Sequence, residues 1–305
     1  MPHKLAIVIP TIGRYAELRR MLASLDRQTR SPDEVIIVDE DESSCLLSRE
    51  FPQLKPRVIV SRGSASAKRN AGTMAAHPAM TLISFMDDDI VLEPQAIEAL
   101  VAFWDHAPED LAGTGCNLVN YPSLEAWRLK SLRLTSRLGL YDSRKGLVLR
   151  SGIHTMMPAI IEDTYVRWLS SMAAVFRRRV LGEFTFDEWF ENYSYLEDLD
   201  LSYRIGKKYR LAVVADARFY HYPSAVGRPN AYLFGKKEVL NRLYFVSKHP
   251  ELSRPLCCLA LGIRALMSVF LGITRFDGRY FKRVAGNVTG FAKGWLIGYD
   301  SPADP

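Results

Sequence analysis

Only four cysteines occur in 305 residues, Cys45, Cys116, Cys257 and Cys258, and no pair of them has Cys-x-x-Cys spacing. Neither a zinc knuckle nor a disulfide framework can be built from them, and a reducing compartment suits the chain. The start of the chain has no long apolar run. Met1 to Pro10 holds one Lys and an apolar stretch of strand length, with no small-residue cleavage site behind it, so no signal peptide is expected and a cytoplasmic setting follows. The sequons at Asn192 and Asn287 are then chance. Internal repeats and low-complexity linkers are absent, and 19 Gly with 16 Pro are too few for a fibrous chain. Behind the first apolar run stands only Pro10-Thr11-Ile12-Gly13-Arg14. This lacks the Gly-x-Gly-x-x-Gly of a dinucleotide site, the Gly-x-x-x-x-Gly-Lys of an NTPase, and the Gly-rich basic loop of most nucleotidyltransferases.

What is present fits a globular protein: 48% hydrophobic and 24% charged residues, with 40 Lys and Arg against 34 Asp and Glu. The net charge of +6 suits phosphate-bearing ligands or an anionic membrane surface, and nothing points to nucleic acid. Leu5 to Pro10, Glu34 to Asp39, Arg57 to Val60 and Thr81 to Met86 read as strands. Helical spacing joins them at Leu18, Met21, Leu22 and Leu25, and along Ser64 to Ala76. Continuous rather than alternating apolar strands imply burial on both faces, as in a mainly parallel α/β sheet flanked by helices. A helix through Ile97, Leu100, Val101 and Trp104 and a strand at Ala112 to Val119 follow. Tyr121 to Tyr165 has no clean period and reads as an insertion shaping an acceptor site. Leu169 to Phe176 (strand), Arg177 to Leu181 (turn or short helix), Leu196 to Tyr209 (helix) and Leu211 to Ala215 (strand) complete the pattern, and the remainder is mostly helical. The division expected is a catalytic domain over 1–225, with halves 1–119 and 120–225, and a helical extension over 226–305.

Ligands of open α/β sheets bind beyond the carboxyl ends of the strands, and three acidic features fall there. Asp39 closes the second strand and opens a run, Asp39 to Glu42, that also suits a solvated helix N-terminus. Asp87, Asp88 and Asp89 close the fourth. Three adjacent carboxylates behind a buried run repel one another unless a cation neutralises them, and alternate ones can present oxygens to a hard divalent ion that also holds phosphates. Glu197 and Asp198 open a late helix, where first-turn acids also suit capping, behind the aromatics Trp189, Phe190, Tyr193 and Tyr195, which read either as a ligand-facing wall or as core. Lys68 and Arg69 are either phosphate or base ligands or solvated helix charges.

Five motifs in order then carry a family resemblance: VIPTIGR (Val8 to Arg14), IIVDEDES (Ile36 to Ser43), AKRNAG (Ala67 to Gly72), FMDDDI (Phe85 to Ile90) and FDEWFENYSYLEDLDLSYRI (Phe186 to Ile205). From about Lys4 to His221 the chain resembles the inverting family 2 glycosyltransferases of GT-A fold. The resemblance implies transfer of a sugar from a nucleotide-diphosphate donor to an acceptor hydroxyl on a saccharide or lipid-linked acceptor, in polysaccharide or glycolipid assembly. It implies a donor site lined by Pro10, Thr11, Arg14, Asp39, Arg69, Asp87 and Asp88. It also implies Mg²⁺ or Mn²⁺ at Asp89 with Asp87, completed by His221, and Asp198 as general base beside Glu197. His221 also reads as structural. Arg228 is a candidate for the diphosphate or a solvated loop charge. A nucleotidyltransferase or a non-catalytic sugar-nucleotide-binding module is the alternative.

Beyond this region, Leu256 to Thr274 is almost wholly apolar around Arg264. A charge at a bilayer centre is costly, so an interfacial or core helix is expected over a spanning one, and the basic residues Arg275, Arg279, Lys282, Arg283 and Lys293 suit peripheral contact with anionic lipid.

Overall fold

The computed structural model describes residues 2–120, 133–191 and 194–296. Its elements run β1 (Leu5–Pro10), α1 (Tyr15–Asp26), β2 (Glu34–Asp39), α2 (Ser44–Ser48), β3 (Arg57–Val60), α3 (Ala65–Ala75), β4 (Leu82–Met86), β5 (Ile90–Leu92), α4 (Ala96–Asp105), β6 (Leu111–Leu118), α5 (Arg133–Arg137) and β7 (Thr164–Val166). They continue with β8 (Ala173–Arg177), α6 (Arg178–Leu181), α7 (Glu197–Gly206), β9 (Arg210–His221), α8 (Ala231–Ser247), α9 (Arg254–Thr274) and α10 (Gly278–Leu296). The chain divides into two compact units, Met1–Ser123 with Met157–Gly227, and Leu124–Met156 with Arg228–Pro305. The described part of 124–156, assigned from sequence to the acceptor half of the catalytic region, thus groups with the C-terminal helices. Tyr121 and Tyr193 lie outside the described residues.

In the first unit, the described strands form one sheet in the order β3-β2-β1-β4-β8-β6-β9-β5, with β7 also on β9. The half β3-β2-β1-β4 is parallel. Beyond it β8 runs antiparallel to both β4 and β6, so the sheet as a whole is mixed. Alternate residues of β1 explain why its apolar run is unbroken. Leu5, Ile7 and Ile9 pack with α1 and α4 on one face, while Ala6 and Val8 join Leu201 and Ile205 of α7 on the other. Gly72 lets α3 lie close against the second face, since a Cβ there would collide with the Val8 side chain.

Three differences from the sequence expectation bear on the site. The strand expected at Leu169 begins only at Ala173, because the Ser171 N–H turns to Asp198 and the Met172 carbonyl accepts from the Asp87 N–H at 2.9 Å. The three-residue β5 is too short to read from sequence. The strand expected to end at Ala215 runs to His221 through a bulge in its ladder with β6.

In the second unit α8, α9 and α10 pack together. Gly286 lets α10 approach α8, where a Cβ would collide with the Tyr232 carbonyl. Arg264, the charge inside the apolar run, is answered by Glu238 of α8 at 2.9 Å, and Arg283 of α10 reaches the same carboxylate at 2.7 Å. Burial alone would push the Glu238 carboxyl up, but Arg264, Arg283 and the Asn287 amide outweigh it and hold it below its ordinary value. Removing one partner of a buried pair costs about 3–5 kcal/mol, and both guanidinium groups here are a quarter exposed, so Glu238→Gln should lower stability by about 3 kcal/mol in a denaturant melt. A depressed carboxyl stabilises the fold fully above its unfolded value of about 4.3, and this contribution disappears as pH falls through the lower folded value. The variant should therefore lose part of the wild type's stability difference between neutral and acid pH.

Candidate active site

The aspartate triad leaves β4 at its carboxyl end, and its three side chains go to three different partners. Asp88 is buried: Thr11 Oγ1 donates to its Oδ2 at 2.6 Å and Arg14 Nη1 to its Oδ1 at 3.1 Å. Burial pushes its carboxyl up to about 6, against the pull of Thr11 and Arg14. These contacts tie the loop after β1 to the triad. Lys68 of α3 ties it further, donating from Nζ to the Thr11 carbonyl at 2.7 Å.

Asp89 is placed by sheet register. β5 pairs with β9 so that Ile90 lies opposite His221, which sets Asp89 Oδ1 3.2 Å from His221 Nε2. Asp89 Oδ2 accepts from the Ser224 N–H at 3.1 Å. Burial would raise this carboxyl, yet the His221, Ser224 and Arg14 contacts outweigh it and hold it below its ordinary value. Arg14 extends the same group by donating from Nη2 to the Val226 carbonyl at 2.6 Å.

Asp87 faces α3. Arg69 Nη2 donates to its Oδ1 at 2.9 Å while Arg69 Nη1 donates to Glu197 Oε1 at 2.8 Å. One buried guanidinium thus bridges the end of β4 and the start of α7, with its face over the Phe186 ring. Burial and the adjacent Asp198 push the Glu197 carboxyl up to about 8 against the pull of Arg69. Leu196, just before it, has φ 80°, the left-handed region that costs a non-glycine residue about 1–2 kcal/mol. That turn starts α7 with Glu197 against Arg69 and leaves Asp198 half-buried.

Asp198 Oδ1 accepts from the Leu199 N–H at 2.7 Å and Oδ2 from the Ser171 N–H at 3.4 Å. Burial pushes its carboxyl up, with Arg69 opposing. Asp200 is fully buried and engaged with Arg204 at 2.9 Å, so Asp198 is the better exposed of the two aspartates. Beside this helix the segment 186–190 is pinned by Asn70, whose amide donates to the Phe186 carbonyl and accepts from its N–H. Phe190 is core, whereas Trp189 is 40% exposed and Tyr195 half-buried.

Of the other residues expected at the site, Pro10 ends β1, and Thr11 N–H donates to the Val38 carbonyl beside it. Asp39 is buried, with its carboxylate accepting from the Glu40 N–H and the Ser44 hydroxyl. Arg228 opens the second unit. The bridging role of Arg69 and the burial of Lys68 were not evident from sequence. The available signal was a basic pair set among Ala67, Ala71 and Gly72, small residues that suit a helix face held close to a sheet.

The sequence model of glycosyl transferase family 2 matches residues 6–183, more than half of the chain. The chain belongs to glycosyl transferase family 2. An uncharacterized glycosyltransferase of Bacillus subtilis, YwdF, is 30% identical over 247 residues, covering 79% of this chain and 82% of that protein. An uncharacterized glycosyltransferase of Haemophilus influenzae is 33% identical over 107 residues, where the match spans 34% of this chain and 35% of the relative. Among solved structures, the mannosyltransferase PcManGT of Pyrobaculum calidifontis, in complex with GDP-Man and Mn²⁺, aligns with TM-score 0.54 at 13% identity over 97% of this chain and 89% of its own. This family 2 glycosyltransferase therefore has the GT-A fold, a mixed α/β sheet with flanking helices.

A divalent ion can be tested against the donor set. Among the described residues no three His, Cys, Asp or Glu side chains converge on one point. Asp89 and His221 do face each other, and a pair of protein ligands completed by substrate phosphates is how Mg²⁺ is commonly held, with imidazole favouring Mn²⁺. The pair fits an ion that shares its coordination with a diphosphate.

The bridge by Arg69 gives an expected result in this family 2 enzyme. Arg69→Lys keeps the charge but cannot fork to both carboxylates, so one of Asp87 and Glu197 loses its partner. Small misplacements of reacting groups cost up to about 10²-fold, and kcat/KM should fall by about tenfold to a hundredfold. Steady-state kinetics beside a thermal melt separates that loss from unfolding.

Proposed function

We propose that this chain is a metal-dependent inverting glycosyltransferase. In this reading it moves a sugar from a nucleoside-diphosphate donor to a hydroxyl of a saccharide or lipid-linked acceptor, on the cytoplasmic side, in polysaccharide or glycolipid assembly. The observation that carries the reading is the Arg69 bridge, which joins the strand-end triad to the Glu197-Asp198 turn in one cluster. Acid-rich ends of two distant segments are thereby held together, one suited to a diphosphate and its counter-ion and the other to an acceptor.

Asp89 and His221 would hold Mg²⁺ or Mn²⁺, which supplies positive charge to the departing diphosphate. The remaining roles belong to the chain. Thr11, Arg14 and Lys68 fix the loop after β1, where Pro10 and Asp39 border the nucleoside. Asp198 accepts the proton of the acceptor hydroxyl as that oxygen forms its bond to the anomeric carbon, and the bond from that carbon to the diphosphate breaks with the electron pair leaving on oxygen. One displacement from the opposite face inverts the configuration. Glu197, paired with Arg69, orders the turn that carries the base.

A panel of UDP-, GDP- and dTDP-sugars incubated with the protein, Mn²⁺ or Mg²⁺ and simple saccharide or lipid-linked acceptors tests the reading. Release of nucleoside diphosphate with at least one donor is expected. Release of pyrophosphate instead would identify a nucleotidyltransferase, and tight binding without turnover a binding module.

A further inference from the structure

The outward faces of α9 and α10 carry a feature the transfer reaction does not use. At 3.6 residues per turn, Leu259, Leu266, Phe270 and Ile273 of α9 fall within about 60° of arc, and all four are exposed, Leu266 at 71% and Phe270 at 64%. The opposite side of the same helix, with Cys257, Ala260, Leu261 and Ser268, is buried, and Arg264 turns inward to Glu238. Phe276, in the turn to α10, is 97% exposed. On α10, Phe281 and Val288 are one stripe two turns apart and also exposed. The ring of Phe281 lies beside Gly272 of α9.

Charge selects what can cover this face. Residues 254–296 hold seven Lys or Arg against the single Asp277, and neither α9 nor α10 contains an acid. Arg264 and Arg283 share the Glu238 carboxylate and Arg279 is paired with Asp277 at 2.8 Å, which leaves Arg254, Arg275, Lys282 and Lys293 as the remaining exposed cations. Lys282 and Lys293 fall about 100–140° around α10 from Phe281 and Val288, both to one side of the stripe. An exposed apolar ridge with an aromatic at its turn and cations beside it matches an anionic bilayer surface, where apolar side chains enter the acyl boundary and lysines meet the headgroup phosphates.

We propose that the α9–α10 pair is a peripheral docking surface for an anionic lipid bilayer, lying in the interface without crossing it. Although α9 is long and apolar enough to span, the Arg264 to Glu238 pair fixes its inner face within the helical unit. The inference is independent of the transfer chemistry, and the two fail separately: nucleoside diphosphate release reads one and vesicle binding the other.

The test is flotation of the full chain with vesicles of phosphatidylcholine alone or of phosphatidylcholine with phosphatidylglycerol. Binding to the anionic vesicles, release by alkaline carbonate and weakening in high salt are expected. Arg275→Ser with Lys282→Ser should weaken binding by about fivefold for each charge removed. Leu266→Ser with Phe270→Ser should weaken it by about tenfold or more. These four side chains are exposed, so both variants should keep the wild-type melt and diphosphate release. Failure to float, equal binding to neutral and anionic vesicles, or retention after carbonate would overturn the proposal. So would a wild-type dimer in solution that the Leu266 and Phe270 variant abolishes, since a second copy would then cover the ridge.

Discussion

Asp89→Ala should reduce sugar transfer by roughly 10³-fold or more, because in the proposed mechanism several kcal/mol of charge stabilisation on the leaving diphosphate would come from a counter-ion that this carboxylate would help to hold. Asp89 is the triad member placed opposite His221, and its other oxygen is fixed by the Ser224 N–H. The His221, Ser224 and Arg14 contacts hold its carboxyl below the ordinary aspartate value. Exhaustive chelation of the wild type should reproduce the loss, and Mn²⁺ or Mg²⁺ should restore activity to the wild type but not to the variant. Binding of the nucleotide sugar, measured by calorimetry, should weaken in parallel. Asp88→Asn should behave differently. Asp88 is buried against Thr11 and Arg14, so its loss should appear in the melting temperature as well as in the rate.

Asp198→Asn should lower transfer by roughly 10²- to 10⁴-fold, the usual contribution of a positioned base. The amide keeps the size of the carboxylate and an oxygen that can accept from the Leu199 N–H. Donor affinity should remain near that of the wild type, because the Asp198 side chain is bound by Leu199 and Ser171 rather than by the triad. The pH profile gives a second readout. A base works only when deprotonated, and burial raises this carboxyl above the ordinary aspartate value. The wild-type rate should therefore fall as pH drops through that raised value, and the Asn variant should lose that limb. Should the variant instead fail to bind donor, the turn at Leu196 would belong to the donor half of the site.

Much of the parallel half was legible because one physical rule governs it. Strands covered on both faces read as unbroken apolar runs, and Leu18, Met21, Leu22 and Leu25 of α1 are all buried as their spacing requires. Legibility ended where long-range pairing decides. Nothing local in Ile90 to Leu92 marks a strand; it exists because β9 extends far enough to pair with it, past Asp216 and Arg218, which interrupt the apolar run. That pairing is also what brings Asp89 to His221. The separate destinations of the three adjacent aspartates were equally hidden, since they depend on Thr11, Arg69 and His221 arriving from three other elements. In the helical unit, Arg264 looked anomalous within an apolar run because its partner Glu238 lies on a different helix.

The most direct test of the account is the anomeric configuration of the product. With a donor and acceptor from the panel in hand, the proton coupling at the new glycosidic linkage, read by NMR on the first product formed, reports which face was attacked. A single displacement assisted by Asp198 predicts configuration opposite to that of the donor, and that product should be missing at early times with Asp198→Asn. A first-formed product with the donor's configuration retained would contradict it.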